Sequence, residues 1–346
     1  MRLGVIPGNL FERAFIAAGL IPIGLTEGYA PAYGRALLVA ADLGVFDAIG
    51  PDGASAREVA TACGTDARAT EKLLNLLASM RYLRRRNGRY RLERHVQRWL
   101  VTDAHSTVRD MLRMKRLEWR WIERLDDFVR SGEPIDVHAT MGPDDWELYQ
   151  RGMRAQANVL APFVARQIPL PKGATRMLDV GGSHGFFSVA LCRKHAGLSS
   201  VVLDLPEAVE HARPLLDSEG MGDRVQLRAG DALSDDLGES AYDLILMVSL
   251  VHHFDDATNR RLVARAAAAL RQGGRLAIVE LLRPTKEGGG SQAGAFFDLY
   301  FALTSRAGLW AADDIRSWQV AAGLVPRKLI SPPFARELGI QVADRV

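Results

Sequence analysis

The chain has 346 residues, long enough for two domains with ample core. Its 48% apolar and 25% charged residues are ordinary for a globular protein and exclude disordered and collagen-like classes. A net charge of +3 is too small to imply a polyanionic partner by itself, and two distant cysteines, Cys63 and Cys192, give no disulfide framework and suit a reducing compartment. Cys192 sits in an apolar-periodic stretch and reads as core rather than nucleophile.

Residues 14–25, AFIAAGLIPIGL, are too short to span a bilayer, are interrupted by Pro22, and lack a cleavage site after them. They read as a helix packing on a partner surface, in a cytoplasmic protein with no membrane contact. Residues 33–49 carry apolar side chains at helical spacing and end at Gly50-Pro51. Ser55 and Glu58 form a capping box, and Asp66 caps a further helix through Met80. YLRRR-NG-RYRL then predicts a hairpin, because Asn87-Gly88 tolerates the positive φ of a type I′ turn. Three helices and a hairpin make a winged-helix layout.

A long amphipathic helix is expected over 106–130, a break at 132–134, and another helix over 144–168. From Ala174 the pattern alternates. Strands are expected at 176–180, 199–204, 224–228, 242–249, 274–281, 325–330 and 338–343, with helices at 184–195, 206–219, 257–271 and 312–322. That alternation implies an α/β fold with a mainly parallel sheet covered on both faces. The last two strands flank Pro332-Pro333 with no helix between them, which predicts a closing antiparallel hairpin of the kind that separates methyltransferase sheets from dinucleotide-binding ones. KEGGGSQAG at 286–294 reads as a flexible loop after a strand end, where lids tend to be found.

MLDVGGSHGFFS at 177–188 is a strand, a glycine-rich turn and a helix start. Glycines let backbone approach a ligand closely, and the helix start offers unsatisfied N–H groups. The spacing Asp179-x-Gly181-x-Ser183-x-Gly185 fits the acidic-x-G-x-G-x-G pattern of methyltransferases, with serine at the middle glycine, and not the nicotinamide fingerprint G-x-G-x-x-G. Asp204 ends the next strand, placed to accept from both ribose hydroxyls of a nucleoside cofactor. Asp231, in AGDA at the following strand end, is placed to accept from an adenine amino group. Either aspartate alone could be a loop or helix cap. All three elements together at strand C-termini, where open α/β sheets bind ligands, point to S-adenosylmethionine (SAM).

The chain resembles small-molecule O-methyltransferases with an N-terminal winged-helix dimerisation domain, from GYAPAYGRALLVAADLGVFDAI through the glycine motif to ARELGIQVADRV. The resemblance implies a class I methyltransferase sheet and a homodimer built on the N-terminal helices. It divides the chain into a dimerisation domain at 1–105, linking helices at 106–170 that contribute to the substrate pocket, and a SAM-binding catalytic domain at 171–346. It implies SAM bound at positions matching Gly181, Asp204, Asp231 and Ala232, with Asp179, Gly182, Ser183, Gly185, Leu205, Gly230 and Ser249 completing the candidate set. Trp146, Met153, Phe297, Tyr300 and Phe301 fall where the family lines its acceptor pocket, although aromatics at helical spacing also make ordinary core.

YDLILMVSLVHHFDD at 242–256 delivers His252 and His253 to a strand end. The family reads leucine-His-Asp-Trp here, so His252 matches its general base, while His253 and Phe254 replace the aspartate and tryptophan. A phenol of pKa near 10 is only about one part in a thousand ionised at neutral pH, so methylating its oxygen calls for a base. Glu280 in AIVELLRP matches the glutamate that orients this base. Neighbouring strand residues point in opposite directions, which predicts that His252 faces the reaction and His253 turns away. No metal site is expected from an adjacent histidine pair.

The family's second glutamate has no counterpart in Gly308-Leu309-Trp310-Ala311; the next acids are Asp313 and Asp314. That departure keeps carbon or nitrogen methylation open, as well as non-methyl chemistry on the same fold. A winged-helix regulator is the rival of another class, suggested by Arg84, Arg85, Arg86, Arg89 and Arg91 on the hairpin. Its would-be recognition helix, 66–80, carries only Arg68 and Lys72 as cations and few groups suited to base edges, so no nucleic-acid partner is expected.

Overall fold

The computed structural model describes residues 7, 9–103, 107–283, 291–332, 335 and 337–346. The chain forms two compact units, Met1–Arg116 and Leu117–Val346.

The first unit opens with α1 (Leu10–Ala17), α2 (Ile23–Glu27), α3 (Ala30–Asp42) and α4 (Val45–Ile49). The single helix expected over 33–49 is divided because Gly44 takes φ 73°, which no right-handed helix accommodates. After β1 (Ala54–Ser55), helix α5 (Ala56–Cys63) starts on the expected capping box: Ser55 N–H donates to Glu58 at 2.6 Å and Glu58 N–H to Ser55 Oγ at 3.3 Å. Helix α6 (Ala67–Ser79) starts on Asp66, whose carboxylate accepts from Ala69 N–H. The hairpin is β2 (Leu83–Arg86) and β3 (Arg89–Leu92), turned by Asn87 at φ 50° and Gly88 at φ 74°. Strand β1 pairs with β3; two residues long, it carries no periodicity to read. After α7 (Arg94–Trp99), the unit closes around buried Phe46, Val59, Leu74, Leu77 and Tyr90.

The helix expected over 106–130 is two, α8 (Arg109–Ile122) and α9 (Leu125–Ser131), the second stopped by left-handed Gly132. The second unit then carries α10 (Pro143–Gln167), started by a proline whose missing N–H costs a helix start nothing. Next come β4 (Arg176–Val180), α11 (Phe186–Lys194), β5 (Ser199–Asp204), α12 (Pro206–Asp217), β6 (Val225–Ala229), β7 (Tyr242–Val248), α13 (Asp256–Ala269) and β8 (Leu270–Leu281). Helices α14 (Gln292–Thr304) and α15 (Ala312–Ala321) precede β9 (Val325–Pro326) and β10 (Leu338–Asp344).

The seven-stranded sheet runs β6-β5-β4-β7-β8-β10-β9, parallel through β8 and antiparallel at β10 and β9. This is the class I methyltransferase architecture with its closing hairpin. Both faces are covered, as strand β7 shows: Leu244 and Leu246 enter the core under α10 and α11, while Ile245 and Met247 enter the core with Leu262 and Trp318. The strand expected over 325–330 shrinks to β9 and a single bridge at Ile330, because Pro326 has no N–H to continue the ladder. Of the expected loop at 286–294, residues 286–290 lie outside the described residues, and Gln292–Gly294 already belong to α14, capped by Ser291. Pro333 and Arg336 also lie outside them. Among the described residues no helix is long and apolar enough to cross a membrane.

Candidate active site

The turn after β4 depends on its glycines. Gly181 takes φ 67°, and a Cβ there would stand 2.7 Å from Leu250; at Gly182 it would stand 2.6 Å from both Asp179 and Val202. Gly185 is the left-handed N-cap of α11. Ser183, at the middle-glycine position, takes φ 50° and is held at two points. Its N–H donates to Asp204 Oδ2 at 2.7 Å and its Oγ to Gln150 Oε1 at 2.7 Å. Leu205 N–H donates to the other Asp204 oxygen at 2.8 Å. Burial pushes the Asp204 carboxyl above its ordinary value, opposed by those two N–H groups.

Asp179 is fully buried. Its Oδ2 accepts from Ser188 Oγ at 2.7 Å, and its Oδ1 has no partner. Burial raises its carboxyl to about 7, with Ser188 opposing and Asp204 adding. Asp231 turns partly inward: its oxygens accept from Leu233 N–H at 2.8 Å and Ser234 Oγ at 3.2 Å.

A cavity of about 950 Å³ opens beside this turn. Asp179, Gly181, Gly182, Ser183, Asp204, Leu205, Gly230, Asp231, Ala232 and Ser249 line it, so ten of the candidate cofactor residues share one wall; Gly185 stays behind as the helix cap. Helix α10 forms a second wall, with Trp146, Tyr149, Gln150 and Met153 at helical spacing. The far end is lined by His138, His253 and Ser305. The His138 ring stacks on Trp146 at 5.5 Å and stands 5.3 Å from the His253 ring.

Trp146 and Met153 therefore reach the cavity, whereas Phe297, Tyr300 and Phe301 are not on its wall. Those three pack among themselves along α14, and the Phe301 ring lies 4.0 Å from that of His252. A helical stripe of aromatics shows which residues share a face but not what that face meets. Tyr149 and Gln150 were within reach of the same spacing argument as Trp146 and Met153. His138 sits in a short 3-10 turn, His138–Thr140, and carries no periodic signal.

The histidine pair departs from expectation in one respect. His252 does meet Glu280: its Nδ1 is 3.1 Å from both carboxylate oxygens, and the two residues are 2% and 1% exposed. Leu281 N–H also donates to Glu280 Oε1 at 3.0 Å. The turn bearing His252 is clamped by Asn259, which donates to Val251 O and Phe254 O at 2.9 Å, and by Trp310 Nε1, which donates to Val251 O at 3.1 Å. His253, however, does not turn away. It lines the cavity, with Nδ1 3.2 Å from Ser305 Oγ, while His252 lies behind it at 4.2 Å between ring centres. Burial and the neighbouring His252 and His138 hold the His253 imidazole well below its ordinary pKa.

At the place of the family's second glutamate, Leu309 is buried and Trp310 braces the histidine turn. Asp314 is occupied by Ala311 N–H and by Arg283, and Asp313 is exposed. Among the described residues no group of three or more His, Cys, Asp or Glu side chains is arranged to hold a metal ion.

Residues 132–323 match the O-methyltransferase domain and residues 29–103 the O-methyltransferase dimerisation domain. A 3-hydroxy-5-methyl-1-naphthoate 3-O-methyltransferase of Streptomyces sahachiroi is 30% identical over 72% of this chain and 73% of its own length. An O-demethylpuromycin-O-methyltransferase of Streptomyces alboniger is 27% identical over 85% and 81% of the two chains. Among solved structures, human N-acetylserotonin methyltransferase in complex with SAM superposes with a TM-score of 0.81 over 93% of this chain and 96% of that one; at 21% identity it shows the shared fold. With its sheet, its glycine turn and both of its matched segments in agreement, the chain belongs to the O-methyltransferase family.

Proposed function

We propose that this protein transfers the methyl group of SAM to a hydroxyl of a small aromatic acceptor, with His252 as general base. The observation that carries the reading is the buried His252–Glu280 pair directly behind a cavity whose near wall is the glycine turn and Asp204. The residues present fit the cofactor. A Cβ at Gly181 or Gly182 would collide with its neighbours, and Asp179 Oδ1 offers an unpaired acceptor where a cationic amino group needs one. Bound here, SAM supplies an activated methyl group on sulfur.

The chain's own contribution is to hold and to deprotonate. Asp204, fixed by two backbone N–H groups, keeps acceptor capacity on each oxygen for ribose hydroxyls. Glu280 receives the Nδ1 proton of His252, which leaves Nε2 as the basic nitrogen and stabilises the imidazolium formed when the acceptor loses its proton. His253 has no carboxylate partner among the described residues and is held neutral, so it serves the wall rather than the proton transfer. The rings that screen His252, those of His253 and Phe301, are side chains able to shift by rotamer changes as the acceptor enters. Hydroxylated naphthoates and aminobenzoates, the acceptors in relatives' names, suit the Trp146–His138 stack. Incubation with SAM and a panel of such phenols is expected to release S-adenosylhomocysteine together with an O-methyl product. Turnover of an acceptor without S-adenosylhomocysteine would assign non-methyl chemistry to the fold instead.

The assembly we propose is a homodimer in the cytoplasm, built on the matched dimerisation domain. Leu10 and Phe11 are 79% and 80% exposed, and Phe15, Leu20 and Leu25 are exposed beside them in sequence. Such a run of large apolar groups marks an association surface, and a two-fold pair is the usual solution. Light scattering at micromolar concentration is expected to find a dimer, and the double change Phe11→Asp, Phe15→Asp to shift it toward monomer. A wild-type protein that is only monomeric removes this assembly.

A further inference from the structure

The far end of the cavity carries charges of both signs that protein partners leave unpaired. Ile135 N–H donates to Leu303 O at 2.7 Å, which ties the segment before the His138 turn to the end of α14. Glu133 and Asp136 on one side of this tie, and Arg306 on the other, line the cavity and are exposed. Among the described residues that line it, Arg306 is the only cation, because burial holds the histidines there, His138, His184 and His253, below their ordinary pKa. Among the described residues none of Glu133, Asp136 and Arg306 forms an ion pair; Asp136 only accepts from Ala139 N–H, through Oδ1 at 3.2 Å. Between these charges and His252 the wall is a row of flat rings. His138 stacks on Trp146, and ring centres step 4.2 Å from His252 to His253 and 5.3 Å on to His138. The rim therefore lies one aromatic ring and a short side chain away from the base.

Opposite charges that share a rim without pairing are complementary to a ligand that brings both signs. We propose that the acceptor is a phenolic α-amino acid, its carboxylate taken by Arg306 and its ammonium by Asp136 and Glu133, with its ring along the His138–Trp146 wall. The proposal rests on the methyl-transfer reading above and names the substrate class of that site. A ligand with an anion alone would meet Glu133 and Asp136 as like charges, and one with a cation alone would meet Arg306. The zwitterion satisfies all three, and the guanidinium fork suits a carboxylate in particular. Held by its charged end at the rim, the ring points its hydroxyl toward His252. The phenolic oxygen then gives its proton to His252 and bonds the methyl carbon as the carbon–sulfur bond breaks, so that S-adenosylhomocysteine and an O-methylated amino acid result.

The test is a ligand and variant cycle on the full chain loaded with S-adenosylhomocysteine, read by calorimetry. The probes share one phenol and differ in charge: L-tyrosine, tyramine, 3-(4-hydroxyphenyl)propionate and p-cresol. L-Tyrosine is expected to bind about fivefold more tightly than either singly charged probe, the scale of a part-exposed ion pair, and the preference should shrink at high salt. Arg306→Gln should bring L-tyrosine down to the level of tyramine. The double change Asp136→Asn, Glu133→Gln should bring it down to the level of the propionate, the asparagine keeping an oxygen for Ala139 N–H. Both variants should leave p-cresol unchanged, and S-adenosylhomocysteine bound with wild-type affinity certifies that each is folded. With SAM, the wild-type protein is expected to convert L-tyrosine to its O-methyl ether. Equal binding of the probes, no binding of any, a singly charged probe that outbinds L-tyrosine, or variants that weaken all of them alike overturn the proposal and leave the methyl-transfer reading in place. Wild-type protein that does not bind S-adenosylhomocysteine overturns both.

Discussion

Replacing His252 by Ala is expected to lower turnover about 10²–10⁴-fold at saturating SAM, with S-adenosylhomocysteine binding unchanged. The magnitude follows from what the pair with Glu280 provides. A histidine whose Nδ1 lies 3.1 Å from both oxygens of a buried carboxylate has its ring orientation and tautomer fixed. Glu280→Gln removes that negative charge while keeping nearly the same shape, and is expected to cost turnover rather than fold. His253→Ala should cost distinctly less, because that imidazole, kept neutral by burial and two histidine neighbours, is a poor proton acceptor. For the same reason His253 contributes no titration to initial rates measured across about pH 6 to 9, and any acid limb found there belongs to another group. If His253→Ala is the inactive variant and His252→Ala turns over normally, the base is the ring on the cavity wall. Normal turnover by both variants would mean that the acceptor arrives already ionised.

The two histidines also show where sequence reasoning reaches its limit. Strands β4, β5 and β7 were legible to within a residue, because each is an apolar run closed by a turn signal, and their C-terminal ends place Asp179, Asp204 and Ser249 in one wall. The pairing of His252 with Glu280 was legible from the family motif. The direction of His253 was not. The expectation treated 252 and 253 as strand neighbours on opposite faces, but Ser249 takes φ 51° and residues Val251–His253 form a 3-10 turn. Successive side chains in such a turn are about 120° apart instead of about 180°, so the His253 ring is not carried to the opposite side and stays 4.2 Å from that of His252. Helix boundaries failed for a related reason. Apolar spacing runs straight through Gly44 and through residues 123–124, and it cannot register a local backbone reversal. His138, placed by a short turn and held by a stack on Trp146, depends on tertiary contact alone.

Asp204→Ala is expected to weaken SAM and S-adenosylhomocysteine by about 1–3 kcal/mol, the scale for hydrogen bonds to a charged group, which is roughly 5- to 150-fold. Both oxygens of Asp204 already receive one backbone N–H, from Ser183 at 2.7 Å and Leu205 at 2.8 Å. These bonds aim the carboxylate into the cavity before any ligand arrives and leave lone pairs for two hydroxyls on adjacent carbons. Alanine removes the acceptors and also frees the Ser183 N–H, so some of the loss will come from a loosened turn. Asp231→Ala separates the two contributions, because Asp231 holds its own turn through Leu233 and Ser234 and should cost less if ribose recognition dominates. The pH dependence gives an independent check with a defined sign. Burial raises the Asp204 carboxyl above its ordinary 3.8, so affinity should fall as acid protonates the group, and that fall should begin at a higher pH than for an ordinary aspartate. The part of this acid limb due to Asp204 should be missing from Asp204→Ala. Unchanged affinity in a folded Asp204→Ala protein, measured by calorimetry, removes Asp204 from the cofactor site and leaves its two N–H bonds as a structural tie between β5 and the glycine turn.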